Sequence, residues 1–388
     1  QLHRELGQGN ALYVHVTLLP YLTSTGELKT KPTQHSVQEL RRIGIQPDII
    51  VCRSDHPVSD ELKDKIALFC DVDKSAVIPL LTVDTIYEVP LILEAANLGQ
   101  ILTDRLGLGS QPPDLAEWRD LVAKIKMPKP GLRIGLVGKY VELRDAYLSV
   151  REALQHAAMY HDRDLQLHYV DSERLEEEGG EALLNGLSGI VVPGGFGQRG
   201  IEGKIKAAHF ARVNRVPYLG LCLGMHVMVI ELARHALGTL DVNTTEVNPN
   251  TKHPVIHLLP EQRAVKQKGG TMRLGGYQCR LVPGTKVAAA YGEEQVSERH
   301  RHRFEFNNDY RELLQEAGLT ISGVSPDDRL VEIVELRDHP WMVGTQAHPE
   351  FKSRPIRPHP LFRDFIGAAK QMLHEGDQQP LPLDQVSV

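Results

Sequence analysis

Apolar and polar positions divide the chain into two periodic regions with a seam between them. From Ala11 to about Gly109, the apolar runs "ALYVHVTLL", "DIIVCRS", "KIALFC" and "AVIPLL" alternate with polar helical stretches. That alternation predicts an α/β layer. The seam, Gly107 to Gly131, places Pro-Pro and Pro-Lys-Pro around one short amphipathic piece, so residues 110–130 read as a linker.

The second region opens with the strand "LRIGLVGKY" and the helix "DAYLSVREALQHAAMYH", with Asp145 placed to cap it and Val150, Leu154 and Ala158 on one face. Further strand-helix units follow: "LQLHYVDS", then "GIVVPGGFG" into "IEGKIKAAHFARVNR", then "VPYLGLC" into "LGMHVMVIELARHALG". Such repetition implies a parallel, doubly wound sheet with its chemistry at the carboxyl ends of the strands. After Glu246 the pattern becomes β-rich, and the tail, 376–388, reads as disordered. The expected architecture is α/β with two domains, 1–109 and 131–375, each a mostly parallel sheet flanked by helices.

Composition narrows the function classes. At 388 residues the chain exceeds what one hydrophobic core usually supports, in keeping with two domains. A net charge of -6 argues against a nucleic-acid partner or an anionic membrane surface, and no apolar run reaches the length of a membrane span. The four cysteines, Cys52, Cys70, Cys222 and Cys279, lack metal-type spacing, which points to free thiols, no metal and a cytoplasmic location. The acidic run "DSERLEEEGGE" is most simply a solvated helix face and turn. The opening "QLHRELGQGN" has no Met, and its charges are spaced as on a helix already under way, so the chain is expected to be cut from a longer one.

The stretch "GLCLG" carries the first chemical signal. Gly220, Cys222 and Gly224 have the Gly-x-nucleophile-x-Gly form, in which small neighbours allow a strained strand-to-helix turn that projects the nucleophile. The helix that follows aims its N-terminal N–H groups at the sulfur and favours the thiolate. A buried structural cysteine is the competing reading. A thiol acting on a carbonyl also needs a base, a group to orient it and an oxyanion hole. In "GTQAHPEF", Pro349 favours extended backbone at His348, and alternation would then put His348 and Glu350 on the same side. Oxyanion donors would be the backbone N–H of Leu223 and one from "PGGFG", at Gly195.

With these three motifs on a strand-helix alternation, the second region resembles the triad-type glutamine amidotransferases. The segments "GKYVELRDAY", "GGTMRLG", "ERHRHRFEFN" and "HPEFKSRP", together with "GELKTKPTQHSVQELRRIGIQPDIIVCRSD" in the first region, are similar to the CTP synthase family. That resemblance implies an enzyme of pyrimidine biosynthesis in which ATP and Mg activate UTP and ammonia from L-glutamine displaces the phosphate to give CTP. It implies Cys222 as nucleophile, His348 as acid and base, Glu350 as orienting carboxylate, and a glutamine pocket of Gly195, Leu223, Gly224, Met225, His226, Glu246 and Arg303. It places UTP, and CTP as feedback inhibitor, at Lys29, Thr30, Lys31, Pro32, Thr33, Gln34 and Lys65, where the lysines would neutralise a triphosphate and Pro32 would stiffen their loop. ATP would touch Leu81, Thr82 and Val83, and GTP, the activator, Arg199, Thr271 and Arg273. The intact enzyme would be a homotetramer.

Two departures stand out. No Gly-x-x-x-x-Gly-Lys-Ser/Thr match exists, so the synthetase domain is expected to be incomplete and the chain to hydrolyse glutamine at most. The family usually has Gln four residues after the nucleophile, and here it is His226, expected to weaken substrate positioning or titrate near neutral pH in the pocket, or else to face harmlessly away from it. Two other readings stay open: a γ-glutamyl hydrolase on the same fold, in which "KTKPTQHSV" has no place, and a catalytically weak homologue acting as a nucleotide-binding or assembly subunit.

Overall fold

The structure, a computed structural model, describes residues 5–7, 9–109, 111–258 and 272–372. Contacts divide the chain between Lys126 and Met127, and each unit has its own core.

The first unit runs β1 (Val14–Leu18), a small hairpin of β2 (Tyr21–Leu22) and β3 (Glu27–Leu28), α1 (Lys31–Arg42), β4 (Ile49–Ser54), α2 (Asp60–Cys70), β5 (Val77–Leu81), α3 (Val89–Ala95), α4 (Leu98–Arg105) and α5 (Ala116–Lys126). Its main sheet is parallel, in the order β1-β4-β5. The central strand reads "IIVCRS" because both faces are covered. Ile50 and Cys52 pack with Val37 and Ile66, while Ile49 and Val51 pack with Ile78 and residues of α4.

Three expectations are corrected here. "KIALFC" is the end of α2: Ser59 caps that helix by accepting from Leu62 N, and only Ile66 and Cys70 are buried. "KPTQ" is the first turn of α1, with Thr33 and Gln34 buried. The amphipathic piece of the expected linker is α5, whose Trp118 Nε1 donates to Tyr87 O at 2.7 Å and whose Lys126 pairs with Glu88 at 2.8 Å. It therefore belongs to the first unit.

The second unit contains β6 (Gly131–Gly138), α6 (Leu148–Tyr160), β7 (Asp164–Asp171), β8 (Gly189–Val192), α7 (Ile201–Asn214), β9 (Tyr218–Leu221), α8 (Leu223–Leu237), β10 (Val242–Thr244), β11 (His253–Leu258), β12 (Arg273–Leu281), α9 (Lys286–Tyr291), β13 (Gln295–His302), β14 (Phe304–Phe306), α10 (Arg311–Glu316), β15 (Leu319–Val324), β16 (Val331–Leu336), β17 (Met342–Thr345) and α11 (Pro360–Gln371). Its large sheet has the order β13-β12-β15-β16-β17-β9-β8-β6-β7. Pairings from β17 to β7 are parallel and those from β13 to β17 antiparallel, so the sheet is mixed rather than mostly parallel. Val150, Leu154 and Ala158 are buried as expected. Asp145 does not cap α6; it lies in a preceding 3₁₀ turn, Arg144–Tyr147. The tail expected to be disordered lies outside the described residues.

Two contacts position the site. A Cβ on Gly224 would come within 2.1 Å of Val192 O, and one on Gly220 within 2.5 Å of Gly224 backbone, so the glycines let α8 start hard against β8 and β9. Strand β17 pairs in parallel with β9, Thr345 opposite Leu221, and Cys222 N donates to Thr345 O at 2.7 Å. The chain leaving β17 is thereby delivered to the start of α8.

Candidate active site

Cys222 occupies the N-cap of α8 with φ 50° and ψ -101°. A side chain rarely adopts such backbone geometry, which costs roughly 1–3 kcal/mol and persists only where the surroundings impose it. The β9–α8 junction imposes it. The thiol is 5% exposed and lies on the wall of a cavity of about 480 Å³, a suitable size for a small ligand.

His348 lies on the same wall, its Nδ1 2.8 Å from Oε1 of Glu350. The pair forms through a 3₁₀ turn, Pro349–Phe351, rather than through the expected extended alternation. Its backbone is fixed by His348 N donating to Arg299 O at 2.8 Å. Burial alone would lower the imidazole, but hydrogen bonds with Cys222 and Glu350, and the charges on both, outweigh it and raise His348 to about 10. The three side chains thus form one coupled unit.

The glycine-rich loop closes over this unit. A Cβ on Gly194 would sit 2.7 Å from His348 Cε1 and 3.6 Å from Cys222 Cβ, and one on Gly195 would lie 3.2 Å from Leu223 Cδ2. Only a loop without side chains can come this close. Leu223 is the first residue of α8, where a backbone N–H has no partner within the helix.

The cavity wall also includes Gly195, His226, Glu246 and Arg303. Glu246 Oε1 accepts from Gly197 N at 3.0 Å and so ties down the loop. Gly224 and Met225 are core residues of α8, packed against Val192 and Gly344, and are not on that wall. His226 is 3% exposed and burial lowers it to about 4, so it stays neutral rather than titrating near neutral pH. Its Nε2 lies 2.9 Å from Gln346 Oε1.

Two models of known families match the sequence: one described as CTP synthase N-terminus over residues 1–108, the other as Glutamine amidotransferase class-I over residues 142–368. The chain is 64% identical over 386 residues to a CTP synthase of Roseiflexus castenholzii, covering 99% of this chain and 70% of that protein. It is 62% identical over 383 residues to the CTP synthase of Chloroflexus aurantiacus, with the same shares covered.

The chain belongs to the CTP synthase family. Among solved structures, the glutaminase domain of a Trypanosoma brucei CTPS with bound acivicin matches with a TM-score of 0.59 and 40% identity, over 62% of this chain and 94% of that one. The identity extends across both units, so the alternative of a mere nucleotide-binding or assembly subunit has no observation in its favour.

The remaining positions suggested by the CTP synthase resemblance are distributed unevenly. Lys29 pairs with Glu27, and both it and Lys65 act to lower that carboxyl, Lys29 more strongly, so the two lysines share one exposed neighbourhood. Thr33 is fully buried and donates to Thr17 Oγ1 at 3.0 Å, while Gln34 donates to Thr30 Oγ1 at 3.1 Å. These side chains serve the packing of α1. Leu81 to Val83 lie at and just past the carboxyl end of β5, and Thr82 Oγ1 donates to Asp55 Oδ1 at 2.6 Å. Arg199 donates to Lys139 O at 2.7 Å and pairs with Glu173 at 3.2 Å. Arg273 is turned inward to Glu332 at 2.7 Å and Glu305 at 3.4 Å, and Thr271 lies outside the described residues.

Sequence reasoning missed Gln346. It is fully buried, and its Nε2 lies 3.8 Å from Cys222 Sγ. Its position two residues before His348 was the available signal.

No described helix is long and apolar enough to cross a membrane.

Proposed function

We propose that this chain hydrolyses the side-chain amide of glutamine at Cys222, His348 and Glu350, as the ammonia-producing half of a CTP-forming ligase. The supporting observation is the arrangement itself: a thiol at a strained helix start and an imidazole on the wall of the same cavity, with a buried carboxylate at 2.8 Å from that imidazole. Cys222 Sγ attacks the amide carbon and the C=O electrons move to oxygen, where the N–H groups of Leu223 and Gly195 stabilise the charge. His348 gives its proton to the departing nitrogen, and the C–N bond breaks to leave a thioester and ammonia. His348 then takes a proton from water, whose oxygen attacks the thioester carbon; the C–S bond breaks to release glutamate, and sulfur leaves as the thiolate beside protonated His348, the pair from which the cycle began. Arg303 suits the α-carboxylate and Glu246 the α-ammonium by charge.

In this reading UTP or CTP sits at the first unit, with Lys29, Lys31 and Lys65 facing the triphosphate. ATP would lie near Leu81 to Val83, and GTP would act through Arg199. Magnesium accompanies ATP in the family's ligase step. Among the described residues no group of three or more His, Cys, Asp or Glu side chains is placed to hold a metal ion. The test is ammonia release from glutamine, with and without GTP, by the protein and by Cys222→Ala. Release that survives the substitution would overturn the assignment.

A further inference from the structure

His226 and Gln346 come from distant parts of the chain and meet beside the nucleophile. Gln346 is locked at the backbone, its N donating to Glu332 O at 2.8 Å, and its side chain is fully buried. An amide side chain has an acceptor end and a donor end. Here Oε1 is 2.9 Å from His226 Nε2 and Nε2 is 3.8 Å from Cys222 Sγ, within reach of a sulfur acceptor. His226 itself is fixed one helical turn beyond the thiol, its N donating to Cys222 O at 3.2 Å.

We infer that Gln346 is a catalytic residue whose side-chain N–H stabilises the Cys222 sulfur anion, and that His226 is the positioning residue that holds the amide in that orientation. This rests on the reading of Cys222 as nucleophile. An imidazole carrying its proton on Nε2 can bond only the oxygen end of the amide, which leaves the NH₂ for sulfur. The same tautomer leaves His226 Nδ1 as an acceptor, and that buried atom has no hydrogen-bond partner. If the amide were reversed, its oxygen would face a developing thiolate and repel it. The titratable and charged groups around the sulfur are His348 with Glu350, His226 on α8, Glu246, and Arg301, His302 and Arg303 at and just past the end of β13.

The experiment is the rate of iodoacetamide alkylation at Cys222 as a function of pH, read by mass spectrometry on the Cys222 peptide. The expected result for Gln346→Glu is a curve midpoint about one pH unit higher. Gln346→Met should shift the midpoint in the same direction by less. His226→Gln, which can still donate to Oε1, should retain the wild-type curve, whereas His226→Leu should shift it. Curves for Gln346→Glu and Gln346→Met that overlay the wild type would overturn the role of Gln346, and an unmoved His226→Leu curve would overturn that of His226. Should Gln346→Glu fail to fold, Gln346→Met carries the test. Alkylation needs no glutamine, so a protein with the expected shifts but no ammonia release would overturn the glutaminase reading and leave this inference intact.

Discussion

Nδ1 of His348 lies 2.8 Å from Oε1 of Glu350, with a single proline between the two residues, and His348 shares a cavity wall with Cys222. Replacing Glu350 by Gln removes a charge that holds the imidazolium, so His348 should titrate well below its native value of about 10. Glutamine hydrolysis should fall by about 10²–10⁴-fold, the usual weight of a general acid-base. Because the folded value lies above the ordinary 6.5, the pair's contribution to stability is fully present below about pH 6.5 and is lost as pH rises through about 10. NMR titration of the His348 ring checks this, and an unchanged curve in the variant would contradict it.

Gly194→Ala inserts a methyl group 2.7 Å from His348 Cε1. The ring must move, and displacement of a reacting group by about 1 Å can cost about 10²-fold in rate. We expect kcat to drop by that order while the melting temperature changes little. A variant with native kcat would show that the loop can retreat without disturbing the ring.

Gly224→Ala acts on the fold instead. Its methyl would meet Val192 O at 2.1 Å, and backbone on both sides cannot give way cheaply. Overpacking of this kind costs about 1–3 kcal/mol, readable as a lower urea midpoint. An unchanged midpoint would mean that α8 can slide on β8.

Glu305 gives a pH-dependent prediction. Burial raises its carboxyl to about 8 and outweighs the nearby Arg273, which is closer to Glu332. Between the ordinary 4.5 and about 8 the folded protein keeps a proton that the unfolded chain releases, so stability from this group falls as pH rises through that window. Glu305→Gln should match the wild type near pH 5 and exceed it near pH 9. Thermal melts at both values decide it, and a deficit at pH 9 would show that the ionised pair is worth keeping.

Much of the site was legible locally. The two glycines around Cys222 announce a close strand-helix junction, and the geometry requires both of them. His348 and Glu350 are close neighbours in sequence, so their pairing needed only the right turn, although that turn is 3₁₀ and not extended. Misreadings arose where a short apolar run could suit two periods. "KIALFC" looked like a strand, but the cap at Ser59 and the first-turn acids start a helix there.

The sequence by itself determined most of the elements, the tight Gly-Cys-Gly turn, the His-Pro-Glu pair and the family, because each depends on residues within a few positions of one another. Only the tertiary structure decided that β17 lies beside β9, and this one parallel pairing carries His348 and Gln346 to Cys222. The neutrality of His226 and the inward turn of Arg273 were decided in the same way. Both follow from burial and from partners more than 30 residues away, and desolvation in a packed interior has no local signature in the chain.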